Sequence, residues 1–242
     1  MRGFILFALI LVSVPVYCQD DSDSTRHPLK VSGTISFNTN GMAVVPAFAY
    51  GKPVFSSNIS FKKNRFSFDP QYAYGLNIKP WILDNWFHYM LVVQPKFELR
   101  TGVNVSMFFS ELKTPDEDVW RGQRYTTLEL AGKYKLPNKR SLGLMFWYDI
   151  GLDPGTIKGY FLNFVFEQTD IRIGKQLLFA ANVQTFYIDY TGLNDGLFIS
   201  PTITVSRRHF PVSLYCQGLQ AITSNMSPFP SFQVNFGIGY SF

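Results

Sequence analysis

Past its first sixteen residues the chain has no long apolar run. No later stretch reaches the roughly eighteen uninterrupted apolar residues that a spanning helix needs, so helical membrane crossing is excluded. Cysteine is almost absent, with only Cys18 and Cys216, which excludes a small disulfide-stapled domain. Histidine is just as scarce. His27, His88 and His209 are scattered, and neither they nor Cys216 has a partner at metal-ligand spacing, so no metal, cofactor or catalytic set is assigned. Charge is low and mixed, 16% of residues with a net +5, and forms no basic stripe, which argues against a nucleic-acid partner. Gly151–Gly155 and Gly237-Ile238-Gly239 lack the following helix that a phosphate-binding glycine loop requires. An Asp116-Glu117-Asp118 run reads as a solvated acidic loop rather than a cation site.

What the chain does have is aromatic residues, 24 Phe and 13 Tyr, and strict alternation. In the final stretch Phe232, Val234, Phe236, Ile238, Tyr240 and Phe242 alternate with Gln233, Asn235, Gly237, Gly239 and Ser241. A strand sends successive side chains to opposite faces, so this one has an apolar aromatic face and a small polar face. That division suits lipid on one side and water or a polar lumen on the other. A mean hydropathy near zero fits a protein in which only half of each strand meets lipid.

At the other end Arg2 precedes the apolar run Phe4–Val16, which fits a secretory signal, with cleavage between Cys18 and Gln19. Tyr17 is bulky where lipidation of Cys18 would want a small residue. The expected organisation is a signal peptide over 1–18, a polar leader over 19–28 and one β domain over 29–242. Thirteen alternating runs separated by turn signals can be counted from Leu29 onward. Treating Met42–Tyr50 and Val54–Lys62 as one interrupted strand leaves twelve strands, with ten as the alternative. Lys79–Trp86 reads as a loop with aromatics at a membrane interface, and Glu111–Arg124 as an outer loop. Pro70, within Phe68-Asp69-Pro70-Gln71, should mark a strand end or bulge because proline removes a ladder donor.

A cleaved signal, alternation throughout and a terminal Phe together resemble the small outer-membrane β-barrels of Gram-negative bacteria. The aromatic and Asn content and the cut before Gln19 are similar to barrels of the Bacteroidota. The resemblance implies an all-β antiparallel transmembrane barrel in the bacterial outer membrane, contact with lipid and lipopolysaccharide, and a C-terminal signal at Tyr240 and Phe242 read by the barrel-assembly machinery. On that reading the parity opposite the apolar face lines a lumen, at Asp69, Gln71, His88, Glu98, Arg100, Asn104, Glu129, Lys133, Asp149 and Glu167. Charges of both signs on this parity should be paired or meet water. Three functions follow: a narrow porin or channel for small solutes or ions; a non-conducting structural or docking barrel with a surface partner; and a soluble secreted β-barrel carrier. Catalysis is not expected. His27 lies in the leader, His88 lacks the His-x-Ser pairing of barrel lipases, and His209 follows Arg207-Arg208 in a turn.

Overall fold

In a computed structural model, described for residues 28–43, 45, 48–113, 118–190, 194–226 and 231–242, the chain forms twelve antiparallel strands. They are β1 (Lys30–Asn38), β2 (Val54–Lys63), β3 (Phe66–Gly75), β4 (Pro80–Val93), β5 (Phe97–Lys113), β6 (Asp118–Leu136), β7 (Arg140–Gly151), β8 (Lys158–Ile173), β9 (Leu177–Tyr190), β10 (Asn194–Arg207), β11 (Val212–Ser224) and β12 (Phe232–Ser241). Each pairs with its sequence neighbour, and β1 pairs with β12 to close a barrel. The seam runs from Thr34↔Ser241 to Asn38↔Gly237, and Gly33 and Phe242 exchange N–H···O bonds of 3.0 Å in both directions beyond it. Closure joins the first and last strands, so the sheet has no open edge strand among the described residues. The signal, the cleavage site, Cys18, most of the leader and His27 lie outside the described residues, as do Asp116 and Glu117.

The alternation translates directly into two faces. Phe55, Phe87, Tyr89, Val103, Val105, Leu128, Leu144, Phe164, Leu214, Phe236 and Tyr240 stand on the outside, all well exposed. Cys216 is exposed and unpaired. Asn104, Thr127, Glu129, Asn163, Ser200 and Asn235 stand inside, all buried. Such an outside surface is stable against hydrocarbon, not water.

Short turns gather at one end, at 64–65, 94–96, 137–139, 174–176 and 208–211. Asn64, Asn138, Lys139 and His209 adopt positive φ there, between 57° and 60°, as tight hairpins of right-twisted strands demand. An even strand number brings the start of β1 and the end of β12 to this side.

Four local expectations are corrected. Met42–Tyr50 is not part of a strand. The count of twelve holds because the segment between β1 and β2 folds inward, closed at its base by Tyr50 N–H to Gly41 O (2.7 Å) and Gly41 N–H to Lys52 O (2.9 Å). A Cβ on Gly41 would come within 2.9 Å of Tyr50 and 3.1 Å of Trp81 and Val54, so only glycine fits the hinge of this fold-back. Lys79–Trp86 is not an interfacial loop. From Pro80 it is the start of β4, and Trp81 and Trp86 are each 4% exposed inside the barrel. The Glu111–Arg124 region is mostly strand, because β5 and β6 pair out to Lys113↔Asp118. Pro70 lies within β3 and not at its end. The β2–β3 ladder loses its pairing between Asn58↔Gln71 and Phe61↔Phe68 but resumes in register, so the missing donor makes a gap without a bulge.

Candidate functional site: the lumen

The interior has two unlike halves. Along β8–β11 it is a packed apolar core of Phe161, Phe186, Ile188, Tyr190, Phe198 and Leu219. A chain of rings runs along the inner wall, Trp86 to Trp147 (5.1 Å between centroids), Trp147 to Phe161 (4.9 Å), Phe161 to Phe186 (5.4 Å) and Phe186 to Phe198 (5.3 Å). The inward segment adds to this mass. Phe48 packs on Phe108 (4.7 Å), Tyr125 (5.4 Å) and Tyr190 (6.2 Å), and its carbonyl accepts from Trp81 Nε1 at 2.8 Å. Val45 is buried in the same cluster.

The other half holds two cavities, with polar side chains set among aromatic ones. One, of about 370 Å³, lies beside the inward segment, and Asp84, Asn104, Thr127, Asp149 and Tyr215 help line it. The second, of about 620 Å³, reaches the short-turn end at Ser32, Lys62, Arg65, Ser241 and Phe242. Asn58, Gln71, His88 and Arg100 wall both.

At this shared level the charges interlock. Glu129, whose side chain is 1% exposed, accepts from Arg100 Nε (2.8 Å) and Nη2 (3.3 Å) and from Trp147 Nε1 (2.8 Å). That set offsets the desolvation of a buried carboxylate. His88 Nδ1 bonds Asp69 Oδ2 at 2.6 Å, and its Nε2 faces Glu129 Oε1 at 3.4 Å, ion-pair range without a directed hydrogen bond. Asp69 also accepts from Ser67 Oγ at 2.6 Å and from Ser60 Oγ. The His88 ring stacks on Trp86 at 5.3 Å. Its register partner is Gly102, where a Cβ would sit 2.5 Å from the imidazole. Nearer the short-turn end Lys133 Nζ pairs with Glu167 at 2.9 Å and Lys135 with Glu98.

The structure thus brings Asp69, His88, Arg100 and Glu129 into one cluster, with Gln71 on both cavities and Asn104 and Asp149 on the loop-end one. Glu98, Lys133 and Glu167 share the inward parity of their strands but lie on neither cavity wall, each held in an ion pair. Asp149 is tied to Thr127 Oγ1 (2.5 Å) and to the Tyr190 hydroxyl. Tyr240 and Phe242 are half-exposed on the outside, and a Cβ on Gly33 would lie 2.8 Å from the Phe242 ring. His88 does have a carboxylate partner, which its local sequence did not reveal, but its free nitrogen faces a second carboxylate and not a hydroxyl nucleophile.

Sequence reasoning missed Phe161, Phe186, Ile188 and Phe198, and with them the filled half of the lumen. A signal was available. At Tyr160-Phe161-Leu162 and Phe186-Tyr187-Ile188 both parities are apolar, which a strand with a wet inner face would not need. A second polar network sits at the seam. Asn38 Nδ2 donates to Ser56 Oγ (3.1 Å), while its Oδ1 accepts from Asn235 Nδ2 (3.1 Å) and from the Tyr215 hydroxyl, joining β1, β2, β11 and β12 from inside.

No protein-family model matches the chain, and no curated protein matches it in sequence. Among solved structures, an outer-membrane channel from Pseudomonas putida F1 superposes with a TM-score of 0.50 at 11% identity, over 93% of this chain and 100% of that one. The NanC porin gives 0.47 at 9% identity, over 88% of this chain and 99% of its own. The β domain of a Bordetella autotransporter gives 0.44 at 12%, over 88% and 98%. At these identities the likeness speaks to fold alone. With its apolar exterior and twelve-strand closure, the chain folds as a bacterial outer-membrane β-barrel.

Proposed function

We propose that this barrel is a narrow channel for small polar solutes, constricted by the inward residues Met42, Val45 and Phe48 and by the Asp69–His88–Glu129–Arg100 cluster. The observation that carries the reading is the pair of cavities, one toward the loop end and one at the short-turn end, that share Asn58, Gln71, His88 and Arg100 as wall residues. Charges on such a wall set which solutes pass. Lys62 and Arg65 against Asp69 give the wider cavity a positive cast, so anions are favoured at that mouth.

Barrels of this kind keep short turns on the periplasmic side. Arg207, Arg208 and His209 then face the periplasm, and Lys52, Lys79, Arg121 and Arg124 at the loop end are the cations that meet lipopolysaccharide. Tyr240 and Phe242 serve as the assembly signal.

The test is planar-bilayer conductance of refolded protein whose folding is verified by heat-modifiable gel mobility. Discrete steps with selectivity altered by Arg100→Gln support the channel. Silence from a folded sample supports the second reading, a plugged docking barrel, which the docked Phe48 and the ring chain along the inner wall favour. Release from membranes by carbonate would instead indicate a soluble carrier.

A further inference from the structure

The loop-end cavity combines two features the channel reading does not require. Its wall carries three carboxylates, Asp84, Glu129 and Asp149, but among the described residues Arg100 is the one lysine or arginine on it. Arg100 is committed to Glu129. Asp149 is held by hydroxyls and Asp84 by the Asn104 amide, so neither has a cationic partner on this wall. The rest of the wall is rich in aromatic rings, including Trp81, Trp86, Trp147 and Phe108. Carboxylates left without a cation in a low-dielectric enclosure are costly, and a cation that enters relieves them.

The kind of cation follows from the walls. A hard metal ion wants six or more oxygens, and among the described residues no three His, Cys, Asp or Glu groups converge to hold one. Aromatic faces attract organic ammonium ions through their negative π-clouds, and carboxylates complete the cage. A cavity of about 370 Å³ also has room for a small organic ion and not only a bare one.

We infer that the loop-end cavity is a binding site for a small organic ammonium ion, with Asp84 as its principal counter-charge and the tryptophans as its walls. The inference names a ligand held at the loop-end mouth of the proposed channel, not its permeant solute, and rests on that reading for access to the site, but binding can be measured without conduction. The positive cavity beyond Arg100 opposes onward passage, so the ion dwells here.

The experiment is isothermal titration of the folded wild-type barrel in detergent with choline chloride, set beside 3,3-dimethylbutan-1-ol, its uncharged isostere. Tryptophan fluorescence is followed in parallel, because Trp81, Trp86 and Trp147 line the site. Choline should bind saturably and at least tenfold more tightly than the alcohol, and Asp84→Asn should weaken it at least tenfold. Equal affinities for the two probes, or no saturable choline signal, would overturn the inference even if Asp84→Asn fails to fold. Choline binding by a barrel that never conducts would retain the site and remove the channel. Conductance without choline binding would do the reverse.

Discussion

Replacing Phe48 by alanine is the sharpest test of the inward segment. Phe48 meets the rings of Phe108, Tyr125 and Tyr190, while its backbone carbonyl holds Trp81 Nε1. Removing a fully buried phenylalanine costs about 3–5 kcal/mol. Phe48 is half-buried and its backbone bond survives, so the docked state should lose roughly 2 kcal/mol. At 1.4 kcal/mol per factor of ten, the docked-to-undocked ratio falls roughly thirtyfold. Single-channel recording should then show more frequent or larger open events than wild type. A Phe48→Ala barrel with native heat-modifiability and unchanged conductance and open time would refute the idea that this segment limits the lumen.

Arg100→Ala leaves Glu129 buried with only Trp147 and His88 nearby, and should cost about 2–3 kcal/mol, read as a lowered unfolding midpoint in detergent. Replacing both members by leucine should recover much of that loss; no recovery would show that the pair does more than satisfy itself. Gly33→Val drives a side chain into the Phe242 ring at the seam, so refolding yield should fall, whereas an equal yield would remove Phe242 from the closure argument. In the loop 152–157, hydrogen bonds from Arg124 hold the Asp153 carboxyl below the usual carboxylate range. A depressed folded value means that its contribution is present above the ordinary carboxylate pKa and is lost as pH falls through the folded one. Asp153→Asn should therefore flatten any acid-side decline in the loop's protection from proteolysis, and an unaltered decline would assign it elsewhere.

The strand architecture was legible because its signal is local. Alternation in Phe232–Phe242, or in Lys96–Glu111, follows from the two-residue period of the pleat and needs no partner to be read. Pairing at Thr34↔Ser241 confirms where such runs must end up, since a closed sheet is the arrangement that satisfies every backbone group in lipid. Loops were read less well. Trp81 and Trp86 looked interfacial because tryptophan prefers bilayer boundaries, yet inside a barrel the same ring can fill the lumen with its N–H bonded to a carbonyl, as Trp81 does to Phe48.

Site residues divide along the same line. That Asp69, His88, Arg100 and Glu129 share an inward parity follows from their positions in the strands. That Asp69 and His88 bond, that Arg100 is spent on Glu129, and that Asp84 has no cationic partner on its cavity wall depend on register between β3, β4, β5 and β6. A one-residue slip would place a different side chain opposite each. The division into an apolar outside and an inward parity rich in polar groups is written residue by residue, because each side chain's preference for lipid or water acts at its own position. That half of the inside is dry, that Met42, Val45 and Phe48 pack into it, and which charges meet are settled by contacts across the barrel. Those outcomes depend on residues far apart in the chain competing for one enclosed volume.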